Sequence, residues 1–577
     1  MKVLFSAIHF AYFRNFESVI VSLAERGHRV HLVADEAEEL GGRQLVERLA
    51  ARYPAVTFGL GPSLDAEPWF RLARKLRAAS DYVRFHEEAF ASFRKTRKTL
   101  GTRIPRGVLR LMQAGVAGSR VTRGALARLL RAAEAAMPIS DASRAFIEAQ
   151  DPDVVLLASV TAWRVPQMDH LRAARALGRR TGICVFSWDH LSSKALLRDT
   201  PDRVLLWNET QKREAVEWHG VPAERVTVTG AQCYDQWFSR APSRDREAFC
   251  QAIGLDPRQP LLLYVCSVMT PDPRESQFVM RWIEQVRGSA DPQLRNASIL
   301  VRPHPERMDE WQDASVDRFE NVALYGRNPV SPDAQADYFD SLYHSHVVVG
   351  LVTSAFLEAA IVGRPVHTLT LPEFEMYQEG VQHFRYLVDV EGGLLKVARS
   401  FPEHMQALAE ALAQPVARDE QNIRFVRAFI RPQGLDVAAT PAFVSAVEEI
   451  AAGAALPASV PAAWHRAAQP LVSRVARSAE SGWLRPLLRD SIEADSDRME
   501  AGKAAFKEAQ AAERARRTAD KQAMLEARRR TRRREEFFIA RRKHAMRWLR
   551  TVGSGSVWRK QVARLKGRVK ALIGYAS

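Results

Sequence analysis

The sequence predicts an α/β protein with two Rossmann-like domains that face each other across a cleft. Three observations support this fold class. Apolar stretches of strand length alternate with helical patterns, which is typical of a parallel sheet. The alternation is interrupted and then begins again further along the chain. The chain has 577 residues, 46% of them hydrophobic, which is enough for two cores because a single core stops growing at about 250 to 300 residues.

The first domain is predicted over residues 1–238. It begins with a strand over residues 3–7, a helix over residues 16–25 and a second strand over residues 30–34, which together form a βαβ unit. Long patterns rich in Arg and Ala then interrupt the alternation, so we interpret residues 62–147 as a helical insertion. Strand patterns resume with DVVLLAS, GICVFSW, RVLLWN and RVTVTG.

A second α/β series predicts a second domain over residues 239–450. It begins with PLLLYVCS, after the polar segment SRDREAFCQAIGLDPRQ, and continues with SILVRP, NVALYG, HVVVGL, the helical SAFLEAAIVG and PVHTLT. In such domains ligands bind at the carboxyl ends of the strands. We therefore expect the ligand in the cleft between the two domains. We interpret the remaining residues, 451–577, as a linker followed by a basic helical tail.

Positive charge is concentrated at the end of the chain. The net charge is +17, and residues 500–577 carry 23 Lys and Arg against 7 Asp and Glu. The rest of the chain is close to neutral, so the globular part is not expected to bind nucleic acid.

The N-terminal sequence and the cysteines indicate a cytoplasmic protein without a metal site. MKVLFSAIHFAYFRNF is interrupted by His9 and Arg14, so it lacks the uninterrupted apolar region of a secretory signal. No uncharged apolar run approaches the roughly 18 to 20 residues that span a bilayer. The four cysteines are scattered without CxxC spacing, which argues against a zinc cage or a disulfide framework.

Two motifs in the second domain predict a site for a nucleotide-activated donor. VRPHPER places Arg302 and His304 directly after a strand, where a guanidinium and an imidazole can bind a phosphate. GLVTSAFLEAAIVGRPV places Thr353 and Ser354 at a helix start, and Glu358 on the same face, where it could accept from ribose hydroxyls. The alternatives are a polar loop whose histidine caps the backbone, and an ordinary N-cap with a first-turn acid.

Candidate catalytic residues follow two strands of the first domain. His9 lies in the loop after the first strand and could act as a general base on an acceptor hydroxyl. Asp189 and His190, in SWDHLSSKA, form a second acid and base pair that would face the same cleft. The alternatives are a structural histidine and a buried tryptophan beside a capped turn.

Together these motifs resemble the GT-B superfamily of glycosyltransferases, and within it the bacterial surface-polysaccharide and CDP-glycerol glycerophosphotransferase-like branch. The resemblance covers residues 1–450 and rests on VTGAQCYDQWF, VRPHPER, DYFDSLYHSHVVVGLVTSAFLEAAIVGRPV and FIRPQGLDVAATP. It implies a nucleotide-sugar or CDP-linked donor in the second domain and a glycan or lipid-linked acceptor in the first. No Asp-x-Asp follows a strand, so we expect a reaction without a metal or a further cofactor.

Two alternatives to this function stay open. A related fold occurs in UDP-N-acetylglucosamine 2-epimerases, and a non-catalytic scaffold of the same fold could act through its tail. The tail segment VWRKQVARLKGRVKALIGYA is amphipathic and basic, which suits an anionic membrane surface. We therefore expect a cytoplasmic protein that is peripheral at the inner face of the plasma membrane, with a coiled coil, a nucleic-acid contact or a solvated helix as alternatives for the tail.

Overall fold

A computed structural model describes most of the chain. The described residues are 1–37, 41–158, 160–161, 166–269, 274–312, 314–326, 328–329, 331–414, 420–454, 456–457, 463–481, 485–488, 537, 539–544, 547 and 558–573. The chain divides into two compact units, residues 1–491 and 492–577. Among the described helices, none is long and apolar enough to cross a membrane.

The first sheet has seven parallel strands in the order β3-β2-β1-β4-β5-β6-β7. These strands are β1 (Lys2–Ala7), β2 (Arg29–Ala34), β3 (Val56–Leu60), β4 (Val154–Leu157), β5 (Arg180–Cys184), β6 (Arg203–Leu206) and β7 (Val226–Val228). All four residues of the central strand β4 are buried, as expected for a parallel sheet covered by helices on both faces. We refer to this sheet and its covering helices as the first half.

The second sheet has six parallel strands in the order β10-β9-β8-β11-β12-β13. These strands are β8 (Leu261–Val265), β9 (Ser298–Arg302), β10 (Val322–Leu324), β11 (Val347–Gly350), β12 (Val366–Leu369) and β13 (Leu395–Ala398). We refer to this sheet and its helices as the second half. The two parallel sheets confirm the predicted α/β fold of two Rossmann-like halves, which is the arrangement of a GT-B type fold.

Helices connect and cover the strands of both halves. In chain order they are α1 (Glu17–Glu25), α2 (Gly42–Arg52), α3 (Phe70–Arg84), α4 (Arg94–Gly101), α5 (Arg106–Gln113), α6 (Arg120–Ala135), α7 (Asp141–Gln150), α8 (Gln167–Ala176), α9 (His190–Ser193), α10 (Glu209–Glu217), α11 (Asp235–Ser239), α12 (Arg246–Ala252), α13 (Glu275–Arg287), α14 (Pro292–Arg295), α15 (Pro332–His344), α16 (Ala355–Ile361), α17 (Gln382–Asp389), α18 (Phe401–Leu412), α19 (Glu420–Phe429), α20 (Ala439–Ala452), α21 (Ala463–Ser481) and α22 (Arg485–Leu488).

The helical insertion of the first half has an aromatic core of its own. It comprises α3 to α6, and the ring centroids of Phe85 and Phe93 stack 5.3 Å apart within it. Arg77 of α3 attaches the insertion to α8, because its guanidinium donates two hydrogen bonds to the Asp169 carboxylate, at 2.8 and 2.6 Å. Both side chains are almost completely buried, so this bidentate pair holds the insertion firmly on the sheet.

The last helix before residue 453 returns to the first half. Phe443, Val447 and Ile450 of α20 are buried in the core of the first sheet, although the sequence analysis placed residues 239–450 in the second domain. The physical reason is the apolar face of α20, which covers β4 to β6. The chain therefore crosses between the two halves twice.

Asp235 anchors this crossing. Its carboxylate accepts hydrogen bonds from the backbone N–H groups of Ala439 (2.9 Å) and Thr440 (2.7 Å) at the start of α20, and it pairs with Arg431 at 3.1 Å. Gly230 allows close contact here, because a Cβ at this position would lie 2.9 Å from that of Ala439. The segments VTGAQCYDQWF and FIRPQGLDVAATP, which the sequence analysis singled out, are thus the two sides of one junction.

Part of the segment interpreted as a linker is packed. Helices α21 and α22 lie against the insertion, where Ala476 is buried with Trp69 and Met137, and where Leu487 contacts Gly107. The interpretation of residues 451–577 as linker and tail is therefore corrected for residues 463–481 and 485–488, because apolar side chains of these two helices complete the core of the insertion.

The second compact unit contains the end of the basic tail. A helix spans Trp558–Ile573, and its basic side chains Arg559, Lys560, Arg564 and Arg568 are exposed. The basic run ARRRTRRREE lies outside the described residues.

Candidate functional site

The strand order of the second sheet reverses between β8 and β11. Ser267 follows β8 and Val352 follows β11, and the Val352 N–H donates to the Ser267 Oγ at 3.3 Å. Glu275, at the start of α13, supports this loop by accepting from the Ser267 N–H at 2.6 Å and the Tyr264 hydroxyl at 2.9 Å. Burial raises the pKa of Glu275 to about 8. This switch point is where ligands bind in folds of this class.

Arg302 ends β9 next to the switch point, as the sequence predicted. Its side chain is 6% exposed, and its Nη1 donates to the Ser341 Oγ at 2.6 Å. The guanidinium also lies 5.1 Å from the ring centroid of Tyr338. Gly326 makes room for it, because a Cβ there would lie 3.0 Å from the Arg302 Cζ. Arg302 is therefore a positive charge held rigidly in the wall of the site.

Glu358 of α16 lies close to the same tyrosine. The Tyr338 hydroxyl donates a hydrogen bond to the Glu358 carboxylate. Burial raises the pKa of Glu358 to about 7, although the Tyr338 hydrogen bond and the charge of Arg14 act in the opposite direction. Arg302, Tyr338 and Glu358 thus form one polar cluster, in which Tyr338 joins two residues that the sequence singled out.

Arg14 brings a positive charge from the first half to this cluster. It follows β1. Burial lowers the pKa of His304 and the charge of Arg14 acts in the same direction, whereas at Glu358 that charge only partly offsets the rise that burial causes. His304 is half-buried, and its Nδ1 accepts a hydrogen bond from the Glu306 N–H at 3.2 Å. With Nδ1 as the acceptor, the neutral imidazole carries its proton on Nε2. The alternative for His304 was a cap on backbone carbonyls, whereas its Nδ1 caps a backbone N–H, and Nε2 is the donor that a ligand would meet.

Thr353 and Ser354 precede α16, as the sequence predicted. The Thr353 Oγ1 accepts from the Ala355 N–H at 3.3 Å. Ser354 is exposed, and its side chain forms no capping hydrogen bond. The Ser354 hydroxyl is therefore the accessible group of this pair.

A row of aromatic side chains connects the two candidate catalytic histidines, His9 and His190. The His9 ring lies 4.3 Å from that of Tyr12, Tyr12 lies 4.7 Å from Phe186, and Phe186 lies 4.2 Å from His190. Both histidines are thus at the carboxyl edge of the first sheet, one after β1 and the other after β5. Burial lowers the pKa of His190 to about 4, so His190 is neutral near pH 7.

Asp189 is held as a carboxylate beside His190. It accepts hydrogen bonds from the Ser187 hydroxyl at 2.5 Å and the Ser193 hydroxyl at 2.9 Å. Lys194 lies 3.6 Å away. Burial alone would raise the pKa of Asp189, but Lys194, the nearby His383 and His190 and the Ser187 hydrogen bond together outweigh it and hold the pKa well below its usual range. Asp189 is therefore a weak base, and it can act as an orienting charge for a neighbouring imidazole.

Two residues that the sequence analysis missed face Asp189 from other parts of the chain. His383 comes from the second half, and its ring lies 4.9 Å from that of Trp188. Lys95 comes from the insertion, with its Nζ 4.3 Å from the ring centroid of Tyr377. Burial lowers the pKa of Lys95 to about 8 and that of His383 to about 4. No local sequence pattern could have joined residues so distant along the chain.

The predicted residues therefore form two groups in the structure. Arg302, His304 and Glu358 belong to the cluster that Arg14 faces, whereas Asp189 and His190 belong to the cluster with Lys95 and His383. Within the described residues, no three or more His, Cys, Asp and Glu side chains form a group that could hold a metal ion. The four cysteines are free thiols.

No protein-family model matches the sequence, and no curated protein matches it. Three solved structures with a similar fold each cover 78% of this chain. One is a glycosyltransferase from Rickettsia africae, with 9% sequence identity, 98% of its own chain covered and a TM-score of 0.44. The second is WaaG, a glycosyltransferase involved in lipopolysaccharide biosynthesis, with 14% identity, 100% of its chain covered and a TM-score of 0.40. The third is a UDP-GlcNAc 2-epimerase from Neisseria meningitidis bound to UDP-GlcNAc, with 13% identity, 100% of its chain covered and a TM-score of 0.44. Identities and TM-scores this low give no information on the reaction of this chain.

Proposed function

We propose that this chain is a transferase that moves a sugar, or a related group, from a nucleotide-activated donor to a glycan or lipid-linked acceptor. The second half binds the donor and the first half supplies the groups that act on the acceptor. The reaction belongs to bacterial glycan or surface-polysaccharide biosynthesis, and the transferred group is a sugar or, as in the CDP-glycerol branch, glycerol phosphate.

The convergence of Arg14 with the cluster of the second half carries this proposal. The charge of Arg14, an arginine from the first half, acts on both His304 and Glu358, next to the switch point of the second sheet. A diphosphate at the switch point would meet Arg14 from one side and Arg302 from the other. Guanidinium groups match phosphate oxygens in charge and geometry.

The chemical roles follow from this arrangement. Arg14 and Arg302 stabilise the negative charge that develops on the leaving diphosphate, so we propose that the reaction needs no metal ion. The Nε2 of His304 donates to a phosphate oxygen, and Ser354 and Thr353 hydrogen-bond to the same group. Glu358 accepts from a ribose hydroxyl. His190 or His9 takes the proton of the acceptor hydroxyl, and the Asp189 carboxylate orients His190.

A binding experiment on the full chain tests the donor site. UDP-, GDP- and CDP-linked donors are titrated against the wild type and the variants Arg14→Ala and Glu358→Gln, with the melting temperature and calorimetric affinity as readouts. A ligand at a hundredfold excess over its Kd stabilises the native state by about 2.7 kcal/mol. Loss of one charge-assisted hydrogen bond costs about 1.5 to 3 kcal/mol, so we expect Arg14→Ala to bind the preferred donor at least tenfold more weakly.

Arg43→Ala is the matched control, because Arg43 is an exposed arginine of the first half that pairs with Glu47 of the same helix. Donor binding that is equal in Arg14→Ala and Arg43→Ala would contradict the proposed site. Activity that survives EDTA would support the metal-independent reaction.

Analysis of the products by NMR separates the proposed transferase from the alternatives. A transferase gives a free nucleotide and a glycosylated acceptor, whereas an epimerase gives an epimeric sugar nucleotide. A scaffold gives no turnover, and its cellular role survives Arg14→Ala.

We also propose that the basic tail places the enzyme at the inner surface of the plasma membrane, which cosedimentation with anionic vesicles would test.

A further inference from the structure

A cavity of about 720 Å³, lined by no residue of either cluster, lies at the carboxyl ends of β12 and β13. Thr370 follows β12 and Arg399 follows β13, and Phe384 and Arg385 of α17 form one wall. The cavity has the size of a ligand site, for which about 300 to 1,000 Å³ is usual. It also lies at the strand edge where folds of this class bind ligands.

The insertion of the first half closes this cavity over the second half. Ser92 and Arg94, at the start of α4, are lining residues. The Ser92 hydroxyl donates to the Gln382 Oε1 at 2.8 Å, and Arg94 pairs with Glu375 at 2.7 Å. An occupant of the cavity would therefore contact both halves, and the insertion would contribute to its recognition.

The lining combines an apolar surface with charged and hydroxyl groups. Phe384, Val388 and Val397 provide the apolar part. Arg385 and Asp389 lie one turn apart on α17, which places them on the same helical face. A sugar ring has the same dual character, since it presents C–H groups on its faces and hydroxyls at its edge.

The charges of the lining favour an anionic ligand. Three guanidinium groups, of Arg94, Arg385 and Arg399, line the cavity with two carboxylates. Arg94 and Arg399 face carboxylates at 2.7 and 3.7 Å. Arg385 forms no ion pair within the described part of the chain. Its guanidinium is thus free to form a bidentate pair with a phosphate or a carboxylate.

We propose that this cavity binds a sugar unit of the acceptor that carries an anionic group, either a phosphate or a carboxylate. Arg385 binds the anion, Asp389 and the Ser92 and Thr370 hydroxyls bind the sugar hydroxyls, and the Phe384 ring covers the apolar face. This assignment rests on the proposed transferase function and specifies its acceptor class.

The cavity adjoins the Asp189 cluster, because its lining residues Arg94 and Phe384 are chain neighbours of Lys95 and His383, and this supports an acceptor rather than a donor role. Phe384 directly follows His383, whose ring lies against Trp188, and Trp188 directly precedes Asp189. Arg302 and Glu358, which belong to the proposed donor site, do not line the cavity. A sugar bound here therefore lies at the side of the cluster that contains Asp189 and His190, and it leaves the donor site open.

Calorimetric titration of the full chain tests this inference. The probes are glucose 6-phosphate and glucuronic acid, which distinguish a phosphate from a carboxylate, with glucose as the neutral reference. We expect one of the two anionic probes to bind at least tenfold more tightly than glucose. Arg385→Ala should remove this preference. Arg424→Ala should keep it, because Arg424 is an exposed arginine of α19 outside the cavity.

Three outcomes would overturn the inference: equal binding of glucose and both anionic probes, no binding of any probe at millimolar concentration, or an anion preference that Arg385→Ala leaves unchanged. Donor binding, measured in parallel by thermal shift, separates this result from the proposed function. A chain that binds a nucleotide donor but fails the sugar test contradicts only the acceptor site. A chain that binds no donor contradicts the transferase proposal itself.

Discussion

Two buried histidines in the second half predict a loss of stability in mild acid. His367 lies in β12 and His404 in α18, and their side chains are 1% and 0% exposed. Their ring centroids are 6.3 Å apart, and none of the four ring nitrogens has a hydrogen-bond partner among the described residues. Burial lowers the pKa of His367 to about 3, with the charges of His404 and Lys396 acting in the same direction, and lowers that of His404 to about 4.

The size of the effect follows from the difference between the folded and unfolded states. In the unfolded chain each histidine takes up a proton near pH 6.5. At pH 5 this protonation stabilises the unfolded chain by about 2 kcal/mol per histidine, while the folded chain gains almost nothing. The stability that the two neutral histidines contribute to the folded state is therefore fully present above pH 6.5 and is lost as the pH falls towards 4. For the pair, the free energy of unfolding should fall by about 4 kcal/mol between pH 8 and pH 5.

Substitution of the two histidines should remove this part of the pH dependence. We expect His367→Leu and His404→Leu each to reduce the difference in unfolding free energy between pH 8 and pH 5 by about 2 kcal/mol, and the double variant to reduce it by about 4 kcal/mol. Urea unfolding at the two pH values, followed by tryptophan fluorescence, measures this difference. Other buried histidines contribute equally to the pH dependence of every variant, so the difference between variants comes from His367 and His404 alone.

His544→Leu serves as the control, because His544 is exposed in the tail. A double variant with the full pH dependence of the wild type would refute the reasoning. A loss of more than about 2 kcal/mol at pH 8 in either single variant would also refute it, because that loss would show that the imidazole forms favourable contacts in the folded state.

Three further predictions concern contacts that join parts of the fold. Asp235→Asn should lower the free energy of unfolding by about 3 kcal/mol, because Arg431 would be left buried without its partner; urea unfolding measures this. Arg77→Met should cost about 3 to 5 kcal/mol in the same assay, since the buried Asp169 carboxylate loses its bidentate partner, and an unchanged stability would contradict the structural role of this pair. Burial raises the pKa of Glu214 to about 8, so the free energy of unfolding should fall as the pH rises from about 4.5 to 8. The melting temperature of the wild type should fall over the same pH range, and Glu214→Gln should make this fall smaller.

The strands were predictable where apolar runs are buried on both faces. SILVRP and HVVVGL correspond to β9 and β11, and every residue of these two strands is buried. The edge strands β3 and β13 were missed, because each is only partly buried and mixes polar with apolar residues. The edge strands β7 and β10 are also only partly buried, yet RVTVTG and NVALYG predicted them. The signal of the sequence pattern therefore weakens at the edge of a sheet without being lost.

The crossing of α20 to the first half shows a second limit of prediction from the sequence. ATPAFVSAVEEIAA has an apolar face, so a packed helix is predictable, but the face carries no information on which of two sheets it covers. Asp235 and Arg431, which pair at the start of this crossing, are 196 residues apart along the chain, so no local pattern shows that they meet. Strand-end positions such as Arg302 could be predicted from the strand order, whereas the contacts of Arg14 and His383 across the two halves could not.

The boundary between the two halves is lined by ionisable groups whose protonation depends on burial. The Tyr386 hydroxyl of α17 donates to the Glu214 carboxyl group of α10, and this hydrogen bond joins the second half to the first. With its pKa raised to about 8, Glu214 is protonated at neutral pH while the halves are in contact. A movement that separates the halves would hydrate Glu214, return its pKa towards about 4.5 and release a proton. By linkage, a higher pH favours the separated arrangement, and a ligand that binds both halves takes up a proton as it binds. Donor affinity, if it requires contact between the halves, should therefore fall as the pH rises towards 8.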